Sequence, residues 1–452
     1  MWPEWEKCSV SEEAWHEARL IPTSGINGAQ EQEKRATSAL LAVMGAVPEF
    51  SKALLSPLGA PGRVPETYIE VPFDLSGKKV IPDGLIRVSR GSKTWTALVE
   101  VKTGKNELQP EQLDSYLDVA RTEGFDALVT ISNEVPSLPG VHPTAVDKRK
   151  LRKVQIHHWS WSYVLSTAIV QKEHRGIADP DQAWILGELI RYLEHDRSGA
   201  LEFDDMGPNW VSIRDAVSSG TLRANDKIAP EVIARFDALL QYLALRLGRR
   251  LGIDVSQVID RKSSTNPAGH LADRMADLAS AGTIRGALRI PNAVGNLVVT
   301  ADLRANIVTS HVEIDAPKEG RQTTRVNWLL RQLRDAPDQV RVESFAVRSR
   351  TGHAELLSAV REDPKLLAPD STKDLRSFRI AMDSRAGAKR GSGQGSFIDS
   401  VVKSVDQFYG EVMQNLKAWT PTAPKMRPEV RAEDDGLRSV SLSSQDGPAA
   451  GA

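Results

Sequence analysis

Cysteine is almost absent. The 452 residues hold one, Cys8, so no disulfide closes within the chain and no cysteine-built zinc site exists. Long apolar runs are missing too, since none approaches the roughly 20 residues that cross a bilayer. The opening MWPEWEKCSV lacks the basic-then-apolar order of a secretory signal. An excess of one charge is also lacking, with 58 Lys+Arg against 59 Asp+Glu. Nucleic-acid binders often carry a basic surplus, because phosphate contacts supply much of their affinity. The balance argues against a large electrostatic grip on DNA and leaves local patches. With 40% hydrophobic and 26% charged residues, the composition is that of a soluble globular protein. The expectation is a cytoplasmic chain with no membrane partner, built of two or three domains.

Periodicity divides the chain. Residues 1–28 read as an irregular leader ending in the Ser24–Gly28 turn cluster. A helix is predicted from Ala29 to Val47, on the spacing of Leu40, Val43, Met44 and Val47. Three strand-like runs follow: Thr67–Phe73, Lys79–Val88 and Thr94–Lys102. Pro110 opens a helix that runs through Glu111–Thr122. Phe125–Ser132 and Lys153–Trp159 read as strands, and Ser160 caps a helix to His174. Residues 29–178 thus form one α/β domain in αβββαβ order. Residues 179–419 read as an α+β region. It has helices at Gln182–Glu194, Pro230–Gly252, Thr324–Arg334 and Phe397–Trp419, and strands at Leu297–Asp302, Ala305–Ile314 and Val340–Arg348. Ser384–Ser396 reads as a mobile, basic, Gly-rich loop, and residues 420–452 as a disordered tail.

Chemistry concentrates on the third strand, Thr94–Lys102. Alternation puts Trp95, Ala97, Val99 and Val101 on one face and Glu100 and Lys102 on the other. On the preceding run, Pro82-Asp83-Gly84 offers a second carboxylate at a bend. Two facing carboxylates repel and call for a cation, and Mg²⁺ suits oxygen ligands. A lysine beside them can orient a water or steady a phosphate, which together are the parts of metal-assisted phosphodiester hydrolysis. Glu-x-Lys alone carries little weight, because a chain this long contains about one or two by chance. The information lies in the strand, the earlier Asp and the helix that follows.

IPDG…VEVKTGK within this order resembles the PD-(D/E)XK nuclease superfamily, a restriction-endonuclease-like fold that includes Holliday-junction resolvases and RecB-type exonuclease domains. The resemblance covers roughly residues 29–170. It implies Asp83, Glu100 and Lys102 as catalytic residues, with Asp83, Glu100 and the Val101 carbonyl holding Mg²⁺ or Mn²⁺. Glu33, on the first helix, corresponds to an additional metal-binding glutamate in many members. Gln112 and Tyr116 match a QxxxY element that helps place DNA, and their i, i+4 spacing puts them on one helix face. The implied function is a deoxyribonuclease of DNA repair, restriction or phage defence. The other reading is a catalytically silent nuclease-like scaffold in stress response that binds DNA or a partner.

Lesser candidates have plainer readings. His157 and His158 are adjacent on a strand, so they point to opposite faces and cannot share a metal. Glu70 ranks below Asp83. The basic run Lys148–Lys153 is either a DNA contact or a charged loop. Arg325, Arg331 and Arg334 can lie outside the apolar stripe of their helix, as a DNA-backbone or a solvated face. Residues 179–419 carry no motif, leaving open substrate recognition, a homodimer or a protein partner.

Overall fold

The computed structural model describes residues 20–21, 28–138, 140–259, 266–368, 370 and 372–421. Cys8, most of the expected leader and all but the first two residues of the expected tail lie outside the described residues. The chain is a mixed α/β structure built on two large sheets.

The first sheet has five strands in the order β1-β4-β5-β6-β7. Its strands are β1 (Glu66–Ile69), β4 (Gly84–Arg90), β5 (Lys93–Val101), β6 (Ala127–Ser132) and β7 (Gln155–Ser160). β1, β4 and β5 pair antiparallel, whereas β5–β6 and β6–β7 are parallel. A separate hairpin joins β2 (Phe73–Leu75) to β3 (Lys78–Val80). Helices α1 (Ala29–Ala46), α2 (Pro48–Leu55), α4 (Trp161–Ile169) and α5 (Pro180–Leu193) cover one face, packing Leu40, Met44, Phe50 and Trp161 onto Ile86, Ala97, Val99 and Val101. α3 (Pro110–Glu123) covers the other, setting Leu113, Leu117 and Ala120 against Leu85, Leu98 and Leu128. α3 starts on Pro110, whose missing N–H costs nothing in a first turn. It stops at Gly124, whose left-handed φ of 73° favours glycine.

Two of the expected strands are not continuous. Thr67–Phe73 breaks after Ile69, where Glu70 takes a positive φ of 51°. Lys79–Val88 breaks at Ile81-Pro82-Asp83, where Pro82 has no amide to give a ladder, and Lys78–Val80 pairs with the hairpin instead. The helix from Ser160 is capped by that side chain, which accepts from the Tyr163 amide. Its last residues, Val170–Arg175, wind as a π-type turn.

The second sheet is antiparallel, with seven strands in the order β13-β12-β14-β11-β10-β9-β8. In chain order, this part holds α6 (Trp210–Ser218), α7 (Ala229–Leu251), β8 (Ser256–Gln257), α8 (Pro267–Ala281), β9 (Thr283–Arg289), β10 (Leu297–Asp302) and β11 (Ile307–Asp315). Then come α9 (Gln322–Gln332), β12 (Arg341–Ala346), β13 (His353–Leu356), α10 (Leu357–Glu362), β14 (Leu375–Arg385) and α11 (Phe397–Glu411). The strand Leu375–Arg385 was not expected, although Phe378, Ile380 and Met382 alternate into the core. The mostly exposed Ser384–Ser396 segment is tied to the start of α6 by hydrogen bonds. Met206 N donates to Arg390 O at 3.1 Å, and Ala388 O accepts from Trp210 and Arg214. Arg325 lies inside its helix packing rather than on an outer face. It is 7% exposed and donates to the carbonyls of Lys318, Gly320 and Leu375.

Candidate active site

The ends of β4 and β5 bring the predicted residues together. Glu100, on a strand covered on both faces, is 0% exposed. Asp83 sits where Pro82 turns the chain into β4, on the same face of the sheet. The residue after it must be small. A Cβ at Gly84 would stand 2.5 Å from Leu41 Cδ1 and 3.2 Å from the Tyr68 carbonyl oxygen. The Asp83 side chain is near enough for its charge to act on Glu100. Asp83 Oδ2 also accepts from the Val101 amide at 2.8 Å. In an extended chain a residue's N–H and C=O leave on the same side, so the Val101 carbonyl is directed toward the Asp83 side of the strand. Lys102 N donates to Ile131 O at 2.8 Å, and its carbonyl accepts from Trp161 Nε1 at 2.9 Å, which pins the motif's last peptide.

Lys102 Nζ contacts Glu100 Oε1 at 2.5 Å and Glu33 Oε2 at 3.9 Å. α1 therefore does deliver Glu33 to the site. Its other oxygen accepts from Asn106 Nδ2 at 2.7 Å and from Thr103 N at 3.4 Å. From α3, Gln112 donates to the Tyr116 hydroxyl at 2.8 Å, and that hydroxyl donates to Ile81 O at 3.3 Å. Burial, then the charges of Glu100 and Asp83, raise the Tyr116 phenol, so it stays protonated. The pair thus braces the segment that carries Asp83.

Thr103, Asn106 and Asn133 also belong to the site and have no local sequence signal. Asn133, just past β6, donates to Gly104 O at 2.9 Å and Gly199 O at 2.8 Å, and accepts from Leu201 N at 2.7 Å. It ties the segment after Lys102 to a turn from beyond α5. Glu70 turns away to pair with Lys34 at 2.7 Å. In the basic run, Arg149 and Lys150 are engaged by Asp147 and Asp118. His157 and His158 do diverge. His158 meets Thr130 and His142, and burial first pushes it down to about 4.

Electrostatically the centre is short of positive charge. Burial foremost, then the Asp83 charge, pushes Glu100 up to about 8, and the adjacent Lys102 does not cancel this. Burial likewise raises Asp83. Burial works to lower the Lys102 ammonium, but Glu100, Glu33 and Asp83 together outweigh it and hold it raised. Glu100 Oε2 is buried with no hydrogen-bond partner. An orphaned carboxylate oxygen beside a second carboxylate is a place for a proton or a cation. Among the described residues no three His, Cys, Asp or Glu side chains converge on one point. Two carboxylates and a carbonyl still fit Mg²⁺, which commonly binds one or two carboxylates and keeps several waters.

Broad grooves of about 890 Å³ beside α2, α4 and α7, and about 1140 Å³ beside α7 and α11, have none of these residues in their walls. The carboxylates stand instead where β4 begins and the central strand β5 ends, with Glu100 fully buried and Asp83 half-buried. No protein-family model, no curated protein and no solved structure matches this chain. No single described helix is long and apolar enough to cross a membrane.

Proposed function

We propose that the chain is a Mg²⁺- or Mn²⁺-dependent nuclease acting on DNA phosphodiester bonds, with a restriction-endonuclease-like core over residues 29–178. The observation that carries this reading is the fully buried Glu100, one oxygen of which has no donor, with Asp83 and Lys102 beside it. Asp83, Glu100 and the Val101 carbonyl would hold the cation, with Glu33 behind Lys102. The cation would supply Lewis-acid activation of a water and neutralise charge on the phosphate.

The residues have separable tasks. Glu100 would give up its proton to let a cation bind and would then serve as an anionic ligand. Lys102, held protonated by three carboxylates, orients the attacking water or steadies a phosphate oxygen. Gln112 and Tyr116 keep Asp83 in place through Ile81 and present polar groups to the substrate. The test is cleavage of plasmid and linear DNA with Mg²⁺ or Mn²⁺, comparing the unaltered chain with Asp83→Ala and Lys102→Ala. Loss of cleavage in both supports the reading. Cleavage that survives both removes it, and DNA binding with no cleavage by the unaltered chain points to a silent scaffold.

A further inference from the structure

The seven-stranded sheet sends Val308, Val312, Val342, Phe378, Ile380 and Met382 into the helix-covered core. The residues between them form its other face. On that face one cross-strand row runs from His311 on β11 through Ala381 on β14 to Arg341 on β12. Ala381 is a lone methyl between two long side chains, and a hollow of about 210 Å³ opens over it. Thr300 and Thr309, paired directly across β10 and β11, wall one side. Arg379, two residues along β14, and Glu343 opposite it wall the other.

Its donors are only partly used. Arg379 pairs with Glu343 at 3.2 Å, and Arg341 with Asp383 at 3.6 Å. Thr309 also donates to Asp383, at 2.6 Å. Pairs this open to water contribute about 0–1 kcal/mol and exchange partners readily. Arg379 Nε is buried with no hydrogen-bond partner. The Phe345 ring lies 4.9 Å from that guanidinium and sets its plane. The half-buried His311 feels Arg379, Arg285 and Arg341 together. Burial first, then those charges, push it down to about 4 against the pull of Glu313.

We propose that this hollow binds a phosphate group. A tetrahedral anion can engage the Arg379 fork, Arg341, the imidazole and the Thr300 hydroxyl from different directions. It would compete with Glu343 for Arg379 and with Asp383 for Arg341. The proposal does not depend on cleavage at Asp83 and Glu100. The phosphate is either a phosphodiester of a polynucleotide or a free phosphomonoester or inorganic ion.

The test uses the full chain, with inorganic phosphate, a nucleoside monophosphate and a single-stranded oligonucleotide as probes. Binding is read by calorimetry and by the His311 imidazole resonance in a pH titration. Phosphate is expected to bind and raise the His311 midpoint. Arg341→Gln, and Ala381→Val, which fills the hollow without removing a charge, should each weaken binding about tenfold, near the loss of one charge-assisted hydrogen bond. Melting curves on the outer-face variants verify that the fold is kept. Stronger binding of the oligonucleotide than of the monophosphate assigns the site to a polynucleotide backbone, and the reverse assigns it to a free phosphate. An unmoved His311 resonance with every probe overturns the proposal, as does binding that both substitutions leave unchanged.

Discussion

Asp83 Oδ2 accepts the Val101 amide proton at 2.8 Å, so the residue between Glu100 and Lys102 fixes the first carboxylate of the site. The Val101 N–H finds its acceptor in a side chain rather than across the strand ladder, which turns a break in strand pairing into a fixed position for a charged group. Glu100 then faces a carboxylate that cannot swing away.

Cation binding should be coupled to proton release. Glu100 is held up to about 8, so a cation arriving at neutral pH must displace about one proton. Mg²⁺ affinity is expected to rise close to tenfold per pH unit below about 8 and to level off above it. Calorimetry in buffers of different ionisation heat measures the proton directly. An affinity flat from about pH 6 to 8 contradicts the assignment.

Without a cation, the same group should make stability fall with pH. Glu100 titrates at 4.5 as a free side chain and at about 8 in the fold. Between those values the unfolded chain has released a proton that the folded chain keeps, so the stabilisation present below 4.5 is lost as pH rises through about 8. The slope is at most about 1.4 kcal/mol per pH unit. Glu100→Gln keeps the shape and removes the titration. Urea melts across this range should therefore show the variant gaining on the parent as pH rises, and parallel curves would count against the buried proton.

Much of the site was legible because β5 alternates cleanly. Trp95, Ala97, Val99 and Val101 enter one core while Leu98 enters the other, which fixes the face Glu100 takes. The break at Ile81–Asp83 was not legible, since Val80 and Ile81 prolong an apolar run and hide the departure of Lys78–Val80 into a hairpin. β14 is hidden in the sequence because Arg376, Arg379 and Arg385 interrupt its apolar residues; Arg379 and Arg385 take the outer face by period two, whereas Arg376 falls where the pairing with β12 shifts register. Thr103, Asn106 and Asn133 act through contacts far along the chain, which no local spacing reveals.

Gly84→Ala should cost about 1–3 kcal/mol. Leu41 Cδ1 can swing aside, but the Tyr68 carbonyl, 3.2 Å from the new Cβ, belongs to the paired strand. The strain falls next to Asp83, so cation affinity should drop along with the urea midpoint. A variant as stable as the parent would mean that β1 can move outward freely.

Asn133→Ala removes a side chain that bridges Gly104, Gly199 and Leu201. Gly199 O keeps the Gly104 amide, but leaving the Gly104 carbonyl and the Leu201 amide without this partner should cost about 1–3 kcal/mol. It should also loosen the Thr103–Asn106 segment that holds Glu33. Hydrogen exchange at Gly104 and Leu201 is the sharpest readout. Unchanged protection there would show that the contact adds nothing.

The central claim is that Asp83 and Glu100 form the cation site of a nuclease. The rate of DNA cleavage against Mg²⁺ concentration, for the unaltered chain and for Glu100→Gln, tests it most directly because this substitution should not unfold the protein. The account predicts Mg²⁺-dependent cleavage, abolished by a chelator, that falls by about 10²-fold or more in Glu100→Gln while its melting temperature is kept or raised. Equal cleavage by the two proteins, or no cleavage by the unaltered chain with Mg²⁺ or Mn²⁺, would contradict it.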